Sequence, residues 1–147
     1  MTTVFFQQVP GVQVPARATR GSFGHDLATV RQETIGGRET RVLPCGLRLA
    51  RDLPHDARGG IAMLVLPRSS LSIKYGLILP NSPGLIDADY SDPIGIIVHN
   101  LRDTPVTLDA GTRVAQALFV RVEFPTIAVG NDADPARGRG GDRKSVV

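Results

Sequence analysis

Short apolar runs, broken at close intervals by turn residues, set the pattern of this chain. Val4-Phe5-Phe6 and Val12-Gln13-Val14 are two brief strand candidates on either side of Pro10-Gly11. From Thr29 to Arg51 the pattern predicts a strand, a Gly36-Gly37 turn, then strands through Arg41–Pro44 and Leu47–Leu49. Leu53 to Gly60 reads as a loop. Ile61–Leu66 is a continuous apolar run, the pattern of a strand buried on both faces, and Pro67 stops its ladder. Asn81-Ser82-Pro83-Gly84 has turn chemistry, and Gly95–Val98 is β-branched and apolar, so 81–100 predicts a β-hairpin with Asp87 and Asp89 at its throat. Val106–Val122 predicts a second hairpin, turning at Asp109–Thr112 and placing Val114, Gln116, Leu118, Val120 and Val122 on one face. Such frequent breakers between short strands point to an all-β sandwich or barrel.

The chain has 147 residues, enough for one domain with a real core. Glycine and proline are plentiful, 16 and 11, and Trp is absent, which agrees with a turn-rich β domain. No apolar run is long enough to span a bilayer, and the first residues carry no basic-then-apolar signal pattern. The expectation is therefore a cytoplasmic protein with no membrane partner. Cys45 is the sole cysteine, so no internal disulfide framework exists, and a small buried strand residue is the expected role rather than a nucleophile. A net charge of +3 is compatible with anionic ligands. Beyond Phe124-Pro125 the composition shifts to a linker, Gly130–Pro135, and a Gly/Arg-rich end. The expected organisation is a β domain over 1–128 and a flexible C-terminal tail over 129–147. One short basic run without aromatics is weak support for RNA binding, and nucleic acid is not an expected partner.

Four places carry candidate chemistry. Arg68-Ser69-Ser70 forms an anion cradle, or Ser69 or Ser70 caps a short helix through Leu71–Tyr75 that Gly76 stops. Both hold together, because a helix N-terminus is itself an anion site. The loop Gly21-Ser22-Phe23-Gly24 leads to His25-Asp26, where Asp26 sits near phosphates or their metal, or simply caps a turn. Asp87 beside Tyr90 fits a general base next to a flat ligand, or a solvated acidic turn. Gln116, on an otherwise apolar face, needs partners, either on a neighbouring strand or on a ligand.

In order and spacing, Pro67-Arg-Ser-Ser-Leu71, then Asn81 and Gly84-Leu-Ile-Asp-Ala-Asp-Tyr90, resemble the homotrimeric dUTP diphosphatase (dUTPase) family. The resemblance extends back to Gly21–Leu27 and forward to Gly111–Gln116 and Arg137-Gly-Arg-Gly-Gly141, covering nearly the whole chain. It implies a jelly-roll-like fold, a homotrimer with sites at subunit interfaces, and hydrolysis of dUTP to dUMP and pyrophosphate. Asp87 would be the general base for water attacking the α-phosphorus. Arg68, Ser69, Ser70 and Gln116 would hold the phosphate chain, and Arg137 would reach the terminal phosphate. Asn81, Gly84 and the adjacent main chain would read uracil, while Tyr90 would pack beneath the deoxyribose and exclude a 2′-hydroxyl. Mg²⁺ would ride on the triphosphate with no direct protein ligand, Asp26 supporting it through water, and Arg113 would be structural, tied to carboxylates of the site.

The chain departs from that family at several positions. Phe23 and His25 replace a small and commonly an aromatic residue, with His25 expected as a surface or packing substitute. Ser91-Asp92-Pro93 follows Tyr90 where many relatives have Arg-Gly, and Asp142 stands where a stacking Phe is expected. Two rival readings share the fold. A dCTP deaminase would need a Glu where this chain has Ile97, and a non-catalytic nucleotide-binding or regulatory protein would not need Asp87 and Tyr90.

Overall fold

A computed structural model of the protein describes residues 2–129. The predicted tail beyond Val129, with its Arg137 and Asp142, lies outside the described residues. Twelve strands run in order: β1 (Phe6–Gln8), β2 (His25–Ala28), β3 (Glu33–Ile35), β4 (Thr40–Pro44), β5 (Leu47–Leu49), β6 (His55–Asp56), β7 (Gly59–Pro67), β8 (Leu77–Ile78), β9 (Gly84–Ile86), β10 (Gly95–Asn100), β11 (Val106–Leu108) and β12 (Arg113–Glu123). A single turn of π-helix, Leu71–Tyr75, separates β7 from β8. Gly76 ends it at φ 67°, a left-handed conformation that L side chains rarely adopt. Ser70 sits at its N-cap without a side-chain capping bond, so the predicted helix forms without the predicted cap.

The largest sheet has the order β2-β12-β7-β6, with β9 on the same edge of β7 as β6. Smaller sheets, β4-β10-β8, β11-β3 and β1-β5, pack against it. Every pairing described is antiparallel. The inner faces join in one core containing Leu27, Met63, Val65, Ala115 and Ala117 from the large sheet and Ile35, Leu43, Ile96, Val98 and Leu108 from the others. Burying each Leu, Ile, Val or Met side chain contributes roughly 1.5–3 kcal/mol. The architecture is the expected all-β, jelly-roll-like sandwich.

Both predicted hairpins are corrected. β9 pairs with β7, whereas β10 pairs with β4 and β8. The turn closed by Tyr90 N–H donating to the Asp87 carbonyl, and Leu53 N–H donating to the Ala88 carbonyl, redirect the chain between them. Likewise β11 pairs with β3 and β12 with β2 and β7. Here Thr29 wedges the arms apart, donating to the Thr112 carbonyl and accepting from Gly111 N–H, while its hydroxyl donates to the Asp109 carbonyl. Local turn signals are present in both places, but long-range pairing overrides the hairpins they promise.

Smaller differences follow from the same competition. Val12–Val14 forms no strand, and the Leu53–Gly60 loop includes the two-residue β6. The Ile61–Leu66 run is not buried on both faces: Met63 and Val65 enter the core, while Leu64 and Leu66 are only half-buried. On β12 a bulge between Arg113 and Ala115 buries both Val114 and Ala115. Gln116, Leu118, Val120 and Val122 then share the outer face, as expected, with Leu64 and Leu66 opposite Leu118 and Gln116. Among the described residues no helix is long and apolar enough to cross a membrane.

Candidate functional site

Asp26 occupies β2 directly opposite Gln116 on β12, which in turn lies opposite Leu66 on β7. This register brings Asp26, Gln116 and the end of β7, where Arg68 follows Pro67, onto one sheet face. Arg68 Nη1 donates to Asp26 Oδ1, and Arg113 Nη1 donates to Oδ2 at 3.2 Å. Arg113 is thus tied to a site carboxylate, as the sequence led us to expect. The Asp26 side chain is 14% exposed and that of Arg68 25%. Burial, and after it the facing Arg113, push the Arg68 guanidinium down from its ordinary value even though Asp26 is its partner. Two cations on one carboxylate leave a surplus positive charge in a half-buried setting. Such a surplus is compatible with an anionic ligand, although the Arg113 side chain is 58% exposed.

Gln116 Nε2 donates to the Pro67 carbonyl at 3.0 Å, the neighbouring-strand bond that the sequence left open. An amide nitrogen has two hydrogens, so a second donor remains for a ligand. Gly24 packs against this amide so closely that a Cβ there would lie 2.1 Å from Gln116 Oε1. Ser69 and Ser70 open the helical turn and are exposed. Together Asp26, Arg68, Ser69, Ser70, Arg113 and Gln116 line a polar cradle with net positive character.

A second cluster lies at the other edge of β7. Gly84 opens β9 opposite Val65, and the Asn81 amide leans over it, with Nδ2 3.2 Å from where a Gly84 Cβ would be. Asp87 is exposed just past β9, in a turn shared with Tyr90. Tyr90 is half-buried, packs against the core and donates its hydroxyl to the Pro93 carbonyl at 3.3 Å. Exposure alternates through Asp87, Ala88, Asp89 and Tyr90 as predicted, although the backbone there is a turn rather than a strand.

The two clusters do not meet within one chain. Ile86 pairs with Met63, so Asp87 comes level with Ala62 in the middle of β7, while Arg68 lies beyond Pro67 at its C-terminal end. With a rise of ~3.3 Å per residue and ~4.8 Å between strands, Asp87 stands about 20 Å from Arg68 and about 16 Å from Gln116. The sheet face between them is apolar: Leu64, Leu66, Leu118, Val120 and Val122 are half-buried and Leu85 is 59% exposed.

Other candidates are placed plainly. Cys45 is buried between β4 and β5, its thiol donates to the Ile94 carbonyl, and burial pushes its pKa up, in keeping with the small buried residue expected there. His25 packs edge-on against Phe119 with ring centroids 5.5 Å apart, the packing role foreseen for it. Sequence reasoning missed the contact between Gly24 and Gln116, whose only signal is the glycine-rich loop before Asp26. It also missed Asn100, which is fully buried and bonds to Ile35, Gly36, Thr104 and Arg102.

Comparison with known proteins gives a consistent result. The dUTPase family model matches residues 11–146. The deoxyuridine 5′-triphosphate nucleotidohydrolase of Shewanella oneidensis is 40% identical over 131 residues, 87% of this chain and 83% of that protein. That of Actinobacillus pleuropneumoniae serotype 3 is 37% identical with the same coverage. Among solved structures, a mutant dUTPase of Staphylococcus bacteriophage 80alpha with dUpNHpp superposes with a TM-score of 0.82 over 97% of this chain and 96% of that one, at 18% identity. A dUTPase from Streptococcus mutans gives 0.68 at 26% identity, over 84% of this chain and 98% of that one.

Proposed function

Because this chain belongs to the dUTPase family, we propose that it hydrolyses dUTP to dUMP and pyrophosphate at a site shared between copies of itself. The observation that carries the reading is that two partial clusters stand about 20 Å apart along β7, one beyond its C-terminal end and one on the edge that carries β9. One half is cationic and suited to a phosphate chain, the other has a carboxylate beside an aromatic ring. Each is incomplete alone. The apolar face between them supports association, since Leu85, Leu64 and Leu118 would otherwise remain against water. A homotrimer with heterologous contacts sets the Asp87 half of one copy against the Arg68 half of the next.

In that arrangement Asn81 and the main chain around Gly84 read the uracil edge. The Tyr90 ring lies beneath the deoxyribose and blocks a 2′-hydroxyl. Asp87, exposed and fixed in its turn, accepts the proton of the water that attacks the α-phosphorus. Arg68, Ser69, Ser70 and the free N–H of Gln116 hold the phosphates, stabilising charge that develops on the leaving pyrophosphate. The expected contact of Arg137 with the terminal phosphate lies outside the described residues.

Mg²⁺ fits this donor set only through the substrate. Both oxygens of Asp26 accept bonds from guanidinium groups, and no cluster of three or more metal-ligating side chains occurs among the described residues. The phosphates would carry the ion, with Asp26 acting through water. When bound, it neutralises phosphate charge and makes the phosphorus more electrophilic.

Incubation with dUTP, dCTP and UTP, with and without Mg²⁺, tests the reaction: dUMP and pyrophosphate from dUTP alone are expected. Deamination of dCTP, or binding without turnover, would sink it. Site sharing is tested by mixing inactive Asp87→Asn and Arg68→Ala chains after dissociation. Random reassembly restores about a quarter of the sites if each draws its two halves from different copies. No recovery would place both halves in one chain.

A further inference from the structure

The loop from Arg17 to Gly24 is exposed except at Ser22 and Gly24, which are half-buried, and it is held by several bonds of its own. Ser22 N–H donates to the Thr19 carbonyl at 3.2 Å, Thr19 N–H donates to Ser22 Oγ at 3.1 Å, and the two hydroxyls lie 2.9 Å apart. Arg17 Nη1 donates to the Arg20 carbonyl at 3.1 Å and to the Ser22 carbonyl at 3.4 Å. At the base, Asp26 N–H donates to the Ala16 carbonyl at 2.9 Å, so the loop closes on the residue that grips Arg68 and Arg113. Arg17 also borders a cavity of about 550 Å³ whose wall includes Asp26 and Arg113. Burial does not explain this order at Arg17, Thr19 and Arg20, which are exposed.

We infer that Arg17, Thr19 and Ser22 are positioning residues for the phosphate cradle. They set the approach of Gly24 to Gln116 and the orientation of Asp26 before a nucleotide arrives. The inference rests on the reading of Asp26, Arg68 and Gln116 as phosphate-binding. Its physical basis is preorganisation: a loop fixed in advance loses less freedom when a polyanion docks on its neighbours. The brace acts on the triphosphate end and is remote in sequence from the Asn81–Tyr90 cluster. It should therefore discriminate between ligands that differ in phosphate number.

The test uses the full chain. KM and kcat for dUTP are measured together with inhibition constants for dUpNHpp and dUMP, in wild type, Arg17→Ala, Ser22→Ala, Ser22→Thr and Arg68→Ala. Arg17→Ala and Ser22→Ala should each weaken dUTP and dUpNHpp by roughly fivefold to twentyfold. The affinity for dUMP should hold, kcat should fall less than KM rises, and Tm should stay within about 2 °C. Ser22→Thr keeps the hydroxyl and should restore wild-type values. Equal weakening of dUMP and dUpNHpp would show a general structural effect and overturn the inference, as would unchanged dUpNHpp affinity in both variants. If Arg68→Ala alone leaves dUpNHpp affinity intact, the phosphate reading itself fails and the brace fails with it.

Discussion

Replacing Gly24 by Ala separates the stability of the fold from the chemistry of the cradle. Gly24 has no positive φ, so alanine is compatible with its backbone. The added Cβ would lie 2.1 Å from Gln116 Oε1, 2.9 Å from its Cδ and 3.1 Å from its Cβ. The amide has to swing away, which breaks its 3.0 Å bond to the Pro67 carbonyl. Losing one such bond costs about 0.5–1.5 kcal/mol. Reduced freedom of the unfolded chain returns about 0.4–1 kcal/mol. The fold should barely respond, with Tm lowered by less than about 4 °C. Activity should respond strongly, because a hydrogen bond to a charged phosphate contributes about 1.5–3 kcal/mol, so kcat/KM should fall roughly tenfold to a hundredfold. The assay is steady-state hydrolysis of dUTP beside thermal unfolding, in Gly24→Ala, Gln116→Ala and the double variant. If Gly24 acts through Gln116, the double variant is no worse than Gln116→Ala. Full activity in Gly24→Ala, or losses that simply add, would refute the reasoning.

Asp87→Asn should retain dUpNHpp binding and lower kcat by about 10²–10⁴-fold; turnover within a few-fold of wild type would remove Asp87 from the role of base. Tyr90→Ala should narrow the ratio of dUTP to UTP turnover, and an unchanged ratio would mean that the ring lies away from the sugar. Asn100→Ala removes the Nδ2 bonds to the carbonyls of Ile35, Gly36 and Thr104 and the Oδ1 bond from Arg102 N–H. Denaturant unfolding should show a loss of about 2–4 kcal/mol with kcat intact at low temperature, and a loss under 1 kcal/mol would contradict the bond count.

The class of fold and most strands were legible because apolar runs and turn residues are local signals. β7 was marked by Ile61–Leu66 and its end by Pro67, and both stand. Pairing was not legible where a remote residue decides it. Nothing near Val106–Val122 in sequence announces that Thr29 will insert at the turn, 80 residues from Asp109. Candidate site residues were legible as motifs, yet a motif does not say which of its members touch. Asp26 with Arg68 and Arg113 emerges from the register of β2 on β12, and the Gly24 contact from the same register. Asn100 was invisible because a buried asparagine looks like any other polar residue until its carbonyl partners assemble around it.

β7 works as a ruler for the whole arrangement. Its outer edge carries β9 at Met63–Val65, and its other edge carries β12 along its full length. These registers fix how far the Asp87 turn stands from the cradle, and no side-chain movement closes a gap of about 20 Å. The same geometry explains why the face between the half-sites is apolar rather than polar. A face meant to bind substrate within one copy would need donors along its length, whereas Leu85, Leu64, Leu118 and Val120 offer none. A face meant to meet another copy needs only complementary apolar surface. In the proposed ring, closure by rotation presents each copy's Asp87 end to its neighbour's Arg68 end, so the number of sites equals the number of chains. The surplus cation at Asp26 then has a consequence. In the proposed ring each empty cradle would hold an unbalanced positive charge from Arg68 and Arg113 on one carboxylate, which a triphosphate would neutralise.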